Sequence, residues 1–488
     1  MSRPNVVLIC VDQWRGDCFS AAGHQVVMTP FLDGWMQRGV RFDRAYSAYP
    51  TCIPARASMF TGLSAERHGR VGYRDGVPWD YDVTLAGELG RAGYQTQAVG
   101  KMHVYPERRR LGFDDVALHD GFIHFARDRH YDLAEIDDYV PWLRSQLGYD
   151  ADYFDHGVSC NSVVARPWDK PEHTHPTNWV VQRSIEFLRG RDTTQPFFLY
   201  VSFHRPHPPY DPPAWAFDQY VHDDTGEPPL GDWIDLYAEY EDSQSPETWV
   251  ARYDPRVVHR ARAGYYGHMS HIDHQLNRLF HELRAQGVAD DTIICLVSDH
   301  GEMLGDHHLW RKAFAYEGSA RIPFIITGPD VPERRVDTEH VVELRDVMPT
   351  LLDACGVDLP DGLDGRSVLP LLGGGTRDWR RYLHGEHTIL GQSMQYLTDG
   401  KEKYIWLSGT GTEQLFDIAS DPAELHDLAR DSGSEPRLAG WRALLVKELA
   451  GRPEGFVTND VLVPGRPVDP VLPFLRDRIR TSSAGAAK

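Results

Sequence analysis

The stretch Cys52-Ile53-Pro54-Ala55-Arg56-Ala57-Ser58-Met59-Phe60-Thr61-Gly62 combines a nucleophile with the means to hold an anion. Proline is tolerated in the first turn of a helix, where its missing N–H costs nothing, so Pro54 puts Cys52 just before a helix N-terminus. Free backbone N–H groups and the helix dipole favour negative charge there. Arg56 comes one turn below and can point the same way. Two further pairs have the chemistry of metal ligands. Asp12-Gln13 and Asp299-His300 offer carboxylate, amide and imidazole donors. That mixed set suits Ca2+ and tolerates Mn2+ or Mg2+ better than an all-oxygen cage would. The segment His300-Gly301-Glu302 is not an H-E-x-x-H helix, which sets a zinc protease aside.

Lys101 and Lys312 stand out by composition, because only seven of the 51 basic residues are lysines (101, 170, 312, 401, 403, 447 and 488). An ammonium can give up a proton where a guanidinium cannot. His207 sits in the rigid loop Pro206-His207-Pro208-Pro209, a poor place for a core histidine. His103 and His204 could equally be satisfied packing residues. Each of these features alone also has an ordinary structural explanation, such as a buried thiol or a helix cap. Their placement relative to the strands argues otherwise.

Strands are expected at Asn5–Val11, Tyr94–Gly100, Pro196–Phe203, Thr292–Ser298 and Ile322–Thr327, most of them continuous apolar runs typical of burial on both faces. Helices are expected from Pro30 to about Arg38, Val83 to Gly93, Asn178 to Arg189 (capped near Thr177) and Gly264 to Gln286. The alternation implies an α/β fold, with a large mostly parallel sheet sandwiched by helices. Ligands bind beyond the carboxyl ends of such strands. Asp12, Lys101, His207 and Asp299 all lie just past strand ends, so they converge on one rim. Residues 104–175 and 210–262 show little periodicity and read as long surface excursions. The glycine run Gly373–Gly375 divides a catalytic unit, residues 1–374, from a small C-terminal α+β domain, residues 375–488. The latter has short antiparallel strands near 393–398, 404–407 and 414–418 and a helix around 435–450. From Pro464 onward the chain reads as an arm or a disordered tail.

Composition narrows the function classes. The formal charge of −20 comes with no basic stretch, which excludes nucleic acid as a partner. No apolar run approaches a membrane span. The N-terminus carries no signal-peptide pattern, so a cytoplasmic location is expected. Six scattered cysteines form neither a disulfide framework nor a zinc site, and Cys10 and Cys295 fall inside apolar strands as buried thiols.

The Cys52 stretch resembles the signature of the type I sulfatases. Asp12, that stretch, Gly100-Lys101-Met102-His103, Pro206-His207-Pro208 and Ser298-Asp299-His300-Gly301-Glu302 through Lys312 come in the order seen in sulfatases of the alkaline phosphatase superfamily. The resemblance covers about residues 5–330. It implies that Cys52 is oxidised by a formylglycine-generating enzyme to formylglycine, whose hydrate supplies the attacking oxygen and touches the metal. Arg56 would hold that group, and Lys101 and His207 would bind the sulfate oxygens. His103 would orient the formylglycine hydroxyls, and Lys312 would stand near the leaving oxygen. Asp12, Gln13, Asp299 and His300 would complete the site of one divalent metal. Two positions depart from the pattern: most sulfatases carry Asp where Gln13 stands and Asn where His300 stands. Gln13 and His300 resemble the phosphonate monoester hydrolase branch, whereas Lys101 and His103 resemble the sulfatase branch. The expectation is hydrolysis of a small anionic sulfate monoester, arylsulfatase-like. The alternatives are a phosphonate monoester or phosphodiester hydrolase on the same scaffold, and an unmodified metal-containing anion-binding protein. The C-terminal arm makes a homo-oligomer conceivable.

Overall fold

The apolar run Asn5–Val11 forms strand β1, and its side chains alternate between two cores. Val7, Ile9 and Val11 enter one, while Val6, Leu8 and Cys10 enter the other. A strand buried on both faces must lie inside a sheet covered on both sides. That sheet comprises β1, β2 (Gly39–Phe42), β3 (Gln95–Gly100), β4 (Asp115–Leu118), β5 (Phe197–Phe203), β6 (Thr292–Val297), β7 (Phe324–Thr327) and β8 (Arg335–Asp337). Their order is β4-β3-β5-β1-β6-β7-β2-β8, and β7 alone runs against its neighbours. In the centre Leu8 pairs with Tyr200 on one side and Cys295 on the other. This is a computed structural model, and it describes residues 3–121, 132–373 and 378–477.

Helices Pro30–Met36, Pro176–Gly190 and Pro255–Ala285 pack on the Val7 face, and helices Cys52–Thr61, Leu85–Arg91 and Val347–Ala354 on the Leu8 face. The long helix starts at Pro255, where Asp254 caps the N–H of Arg256, nine residues before the expected Gly264. The cap of the Pro176–Gly190 helix is the His175 ring, which accepts from the Thr177 N–H at 3.1 Å, rather than Thr177 itself. Pro176 at the first helical position explains the earlier start. The excursion 104–175 is partly structured: it adds edge strand β4 and the helix Tyr139–Leu147, and residues 122–131 lie outside the described residues.

The C-terminal sheet is antiparallel, with strands β9 (Leu383–Ile389), β10 (Gln392–Thr398), β11 (Lys403–Leu407) and β12 (Glu413–Phe416) in sequence order. One face buries Leu397, Tyr404, Trp406 and Leu415 against the helix Glu435–Leu449. The other buries Met394, Tyr396, Ile405 and Phe416 against Tyr46, Phe314 and Tyr316 of the larger unit. The expected boundary at Gly374–Gly375 lies outside the described residues. Past Pro464 the chain is an ordered arm as far as Asp477. Val71 N–H donates to Pro470 O at 3.0 Å, Leu472 N–H donates to Gly69 O at 2.8 Å, and Leu472 is buried. Among the described residues no helix is long and apolar enough to cross a membrane.

Candidate active site

The carboxyl ends of the central strands deliver the polar groups. Asp12 comes directly after β1, Lys101 after β3, His204 to His207 after β5, and Asp299 lies two residues past β6. At the end of β3 only glycine fits. Gly100 has φ 95°, and a Cβ there would stand 1.9 Å from Ser202 O. That close approach turns Lys101 inward beneath the Cys52 helix. Cys52 is the first residue of that helix, one position further in than the spacing suggested, with Thr51 as N-cap and Gly62 as left-handed C-cap. All ten helix residues are buried.

Four groups with ligand chemistry meet here. One atom each of Asp12, Cys52, Asp299 and His300 lie within 4.8 Å of one another. Cys52 Sγ is 3.3 Å from His300 Nε2 and 3.8 Å from Asp12 Oδ1. Lys101 Nζ donates to Asp12 Oδ2 and lies 3.4 Å from Cys52 Sγ. Both carboxylates are fully buried. Burial raises the pKa of Asp299, but His300 and Arg56 outweigh it and hold the group below the usual carboxylate range. His300 donates its Nδ1–H to Gly301 O at 2.9 Å, which turns the Nε2 lone pair towards the cluster. Two buried anions converging with an available imidazole fit a divalent cation.

Arg56 supports this cluster from behind. Its Nε donates to Asp299 Oδ2 at 2.9 Å, and its Nη1 to Lys101 O (2.9 Å), Tyr200 Oη (2.8 Å) and Ser202 Oγ (3.0 Å). Among the described hydrogen bonds none joins it to the unmodified Cys52, and its buried Nη2 has no hydrogen-bond partner. A second chain of bonds runs alongside. Lys312 Nζ donates to Gln13 Oε1 at 2.8 Å and to His207 Nε2 at 2.5 Å, and His207 Nδ1 donates to Pro208 O at 2.9 Å. Burial, then the Lys312 ammonium, hold the His207 pKa well below its ordinary value, so its ring is neutral. Burial also lowers the pKa of Lys312, which makes it a better proton donor. His103, with φ 55°, is buried with its ring 5.9 Å from that of Tyr73.

Burial, then Asp12, push the Cys52 thiol up to about 11, although Lys101 and Lys312 oppose them. A thiol with that pKa is protonated at neutral pH and is a poor nucleophile. Above Cys52 opens a cavity of about 280 Å³, walled by Tyr73, Asn161, Trp249, Arg311, His387 and Leu390. Sequence reasoning found none of these six, since they come from loops and from the β9 hairpin without a motif. It also missed Glu302 as a site residue, although it closes the recognisable 298–302 segment. This fully buried carboxylate accepts from Gln13 Nε2 and fixes which way that amide faces.

The fold and site define a hydrolase of the alkaline phosphatase superfamily. Residues 4–357 match the family model described as Sulfatase, and residues 305–440 match that of the N-sulphoglucosamine sulphohydrolase C-terminal region. The chain is 45% identical over 473 residues to an arylsulfatase of Clostridium perfringens, spanning 96% of this chain and 98% of the relative. It is 31% identical to the multifunctional alkaline phosphatase superfamily protein PehA of Trinickia caryophylli, over 88% and 92% of the two chains. Among solved structures, the phosphonate monoester hydrolase of Agrobacterium radiobacter superposes with a TM-score of 0.75 at 28% identity, covering 91% and 95%. The chain belongs to the sulfatase family and is a sulfuric ester hydrolase. That family works with a metal ion and a formylglycine.

Proposed function

We propose that the protein hydrolyses sulfate monoesters, arylsulfatase-like, with formylglycine made from Cys52 as nucleophile. The observation that carries this reading is the convergence of Asp12, Cys52, Asp299 and His300 on one buried point, flanked by Lys101 and Lys312. Asp12, Gln13, Asp299, His300 and the group at position 52 would hold one divalent cation, Ca2+ in preference to Mn2+ or Mg2+. When bound, the cation and the aldehyde hydrate would supply Lewis acidity and an oxygen nucleophile at that point. The rest is the work of side chains already in place. Lys101 binds the sulfate oxygens, joined by His207 once its Nε2 carries a proton, and His103 orients the group at position 52. Arg56 fixes Asp299 and holds the group at position 52, and Lys312 gives its proton to the departing alkoxide or phenoxide. The high pKa of Cys52 supports modification, because the unmodified thiol would not attack at neutral pH.

The same reading includes maturation by a formylglycine-generating enzyme, a cytoplasmic location, self-association through the C-terminal arm, and a division of the chain into units 1–374 and 375–488. A second reading, hydrolysis of phosphonate monoesters or phosphodiesters, is favoured by Gln13 and His300 and by the Agrobacterium radiobacter neighbour. Sulfate presents three acceptor oxygens, whereas a phosphonate replaces one with an apolar substituent. Lys101, His103 and the Lys312 ammonium beside His207 crowd the site with donors, and an unpaired buried donor costs roughly 1–3 kcal/mol. The deciding experiment is turnover of matched aryl sulfate, phosphonate monoester and phosphodiester by metal-replete enzyme, with position 52 checked by peptide mapping. We expect a preference for sulfate of at least about tenfold in kcat/KM. Faster turnover of the phosphonate would overturn it, and finding only free thiol in active enzyme would remove formylglycine from the scheme.

A further inference from the structure

The tripeptide Arg311-Lys312-Ala313 sends two neighbouring cations to different places. Arg311 (φ 65°) and Ala313 (φ 81°) both occupy the left-handed region, which non-glycine residues enter at a cost and which clusters at functional sites. Lys312 reaches Gln13 and His207 at the floor of the site. Arg311 instead lies on the wall of the 280 Å³ cavity, its guanidinium stacked over the Trp249 ring at 3.9 Å. Nη1 donates to Glu247 O and Nη2 to Asn161 Oδ1, both at 3.0 Å.

Those partners position the guanidinium without neutralising it. Among the described residues it enters no ion pair, and its buried Nε has no hydrogen-bond partner. Glu302 and Glu247 attract it from further off, but burial outweighs them, and a mostly buried cation without a directly paired carboxylate is costly. The cavity itself sharpens the contrast: in a chain of net charge −20, no Asp or Glu is among its described lining residues. Its other walls are flat and apolar, formed by Tyr73, Trp249 and Leu390. Such a space takes a ring, with an anion directed at the fork of the guanidinium.

We propose that Arg311 is a specificity subsite for a carboxylate on the alcohol half of the substrate, so that the preferred esters are sulfates of ring alcohols bearing that group. This rests on the sulfatase reading for the position of the scissile ester, since the cavity opens directly above Cys52. The stacking on Trp249 holds the guanidinium plane still, so a carboxylate meets a preorganised partner.

The test uses 4-carboxyphenyl sulfate and its methyl ester, which share ring and scissile bond and differ in the charge at the far end. The kcat/KM ratio of acid to ester should be about ten or more in the unmutated enzyme, as a charge-assisted hydrogen bond provides. It should fall to about one in Arg311→Gln and lie between in Arg311→Lys. Damage to the neighbouring Lys312 would lower both substrates together and leave the ratio in place. A ratio near one before mutation, or one that Arg311→Gln does not change, would overturn the proposal and leave Arg311 a wall brace. If neither sulfate is turned over, the sulfatase reading has failed separately. Calorimetric binding of 4-hydroxybenzoate against its methyl ester then decides the subsite on the same protein, with the same dependence on Arg311 expected and its absence overturning the proposal.

Discussion

Among the described residues two aspartate–arginine pairs are buried completely, and only one of them belongs to the site. Asp211 is gripped by Arg205 through a fork, Nε to Oδ1 at 2.7 Å and Nη2 to Oδ2 at 2.9 Å. His156 adds a contact to Oδ2 at 3.0 Å, and His268 lies 3.3 Å from Oδ1. Asp299 takes a single Arg56 N–H on Oδ2. Its Oδ1 accepts only the backbone N–H groups of Gln13 (3.2 Å) and His300 (3.1 Å). Neighbouring cations outweigh burial in both, holding both carboxylates ionised. Charge compensation therefore does not distinguish a functional carboxylate from a structural one. Proximity of ligand-type atoms does not either, since His175, Asp211 and His268 also cluster within 4.8 Å. What distinguishes them is geometry: Arg205 grips both oxygens of Asp211 in a fork, whereas Asp299 takes one Arg56 N–H and lies in a cluster with Asp12, Cys52 and His300.

The sharpest way to break that comparison is to delete each carboxylate. Asp299→Ala should remove the bound metal and reduce kcat/KM by about a thousandfold or more. Its melting temperature should fall less than that of Asp211→Ala, since Arg56 keeps the Asp12 carboxylate nearby and Lys101 O, Tyr200 Oη and Ser202 Oγ as partners. Asp211→Ala should do the reverse, leaving Arg205 uncompensated at a cost of about 3–5 kcal/mol while metal content per folded molecule stays put. Elemental analysis beside thermal unfolding measures both. Loss of metal from folded Asp211→Ala would mean that the closed pair is also a ligand.

A smaller effect is expected one residue further out. Lys101 bridges Asp12 and Cys52, so Lys101→Ala should depress sulfate turnover more than phosphonate turnover, narrowing the preference by about tenfold. Equal losses on both would take Lys101 off the sulfate oxygens. The smallest effect concerns pH. Asp211 has its folded pKa depressed well below 3.8, so its contribution to stability is present above that value and is lost as pH falls below it. The difference in unfolding free energy between the parent and Asp211→Asn should accordingly shrink as pH is taken below 3.8. A constant difference would mean that Asp211 gains nothing from ionisation.

The parts of the site legible in the sequence are those fixed by backbone topology. Asp12, Lys101, His207 and Asp299 could be placed because a buried parallel strand is a continuous apolar run, and the residues just after such a run must sit at the sheet's edge. Strands β2, β4 and β8 escaped because three or four residues at a sheet margin carry no such run. The cavity wall escaped for a different reason. Tyr73, Trp249 and His387 come from separate stretches, and a wall assembled by tertiary contact leaves no local period to read. The start of the long helix was hidden similarly, as its first turns, rich in arginine and histidine, resemble an exposed loop until Asp254 is seen capping them.

If position 52 is converted to formylglycine by a second protein, the complete burial of the Cys52–Thr61 helix also sets an order of events in biosynthesis. Such a protein would find Cys52, Pro54 and Arg56 inaccessible once the sheet has closed around the helix. β7, which begins at Phe324, and the β9 hairpin, which begins at Leu383, help to enclose it and are synthesised long afterwards. The interval between the emergence of Gly62 and the arrival of those strands is the time during which position 52 can be converted. On that reading slower folding of the early strands would lengthen the interval, and chains that outran it would keep an ordinary cysteine.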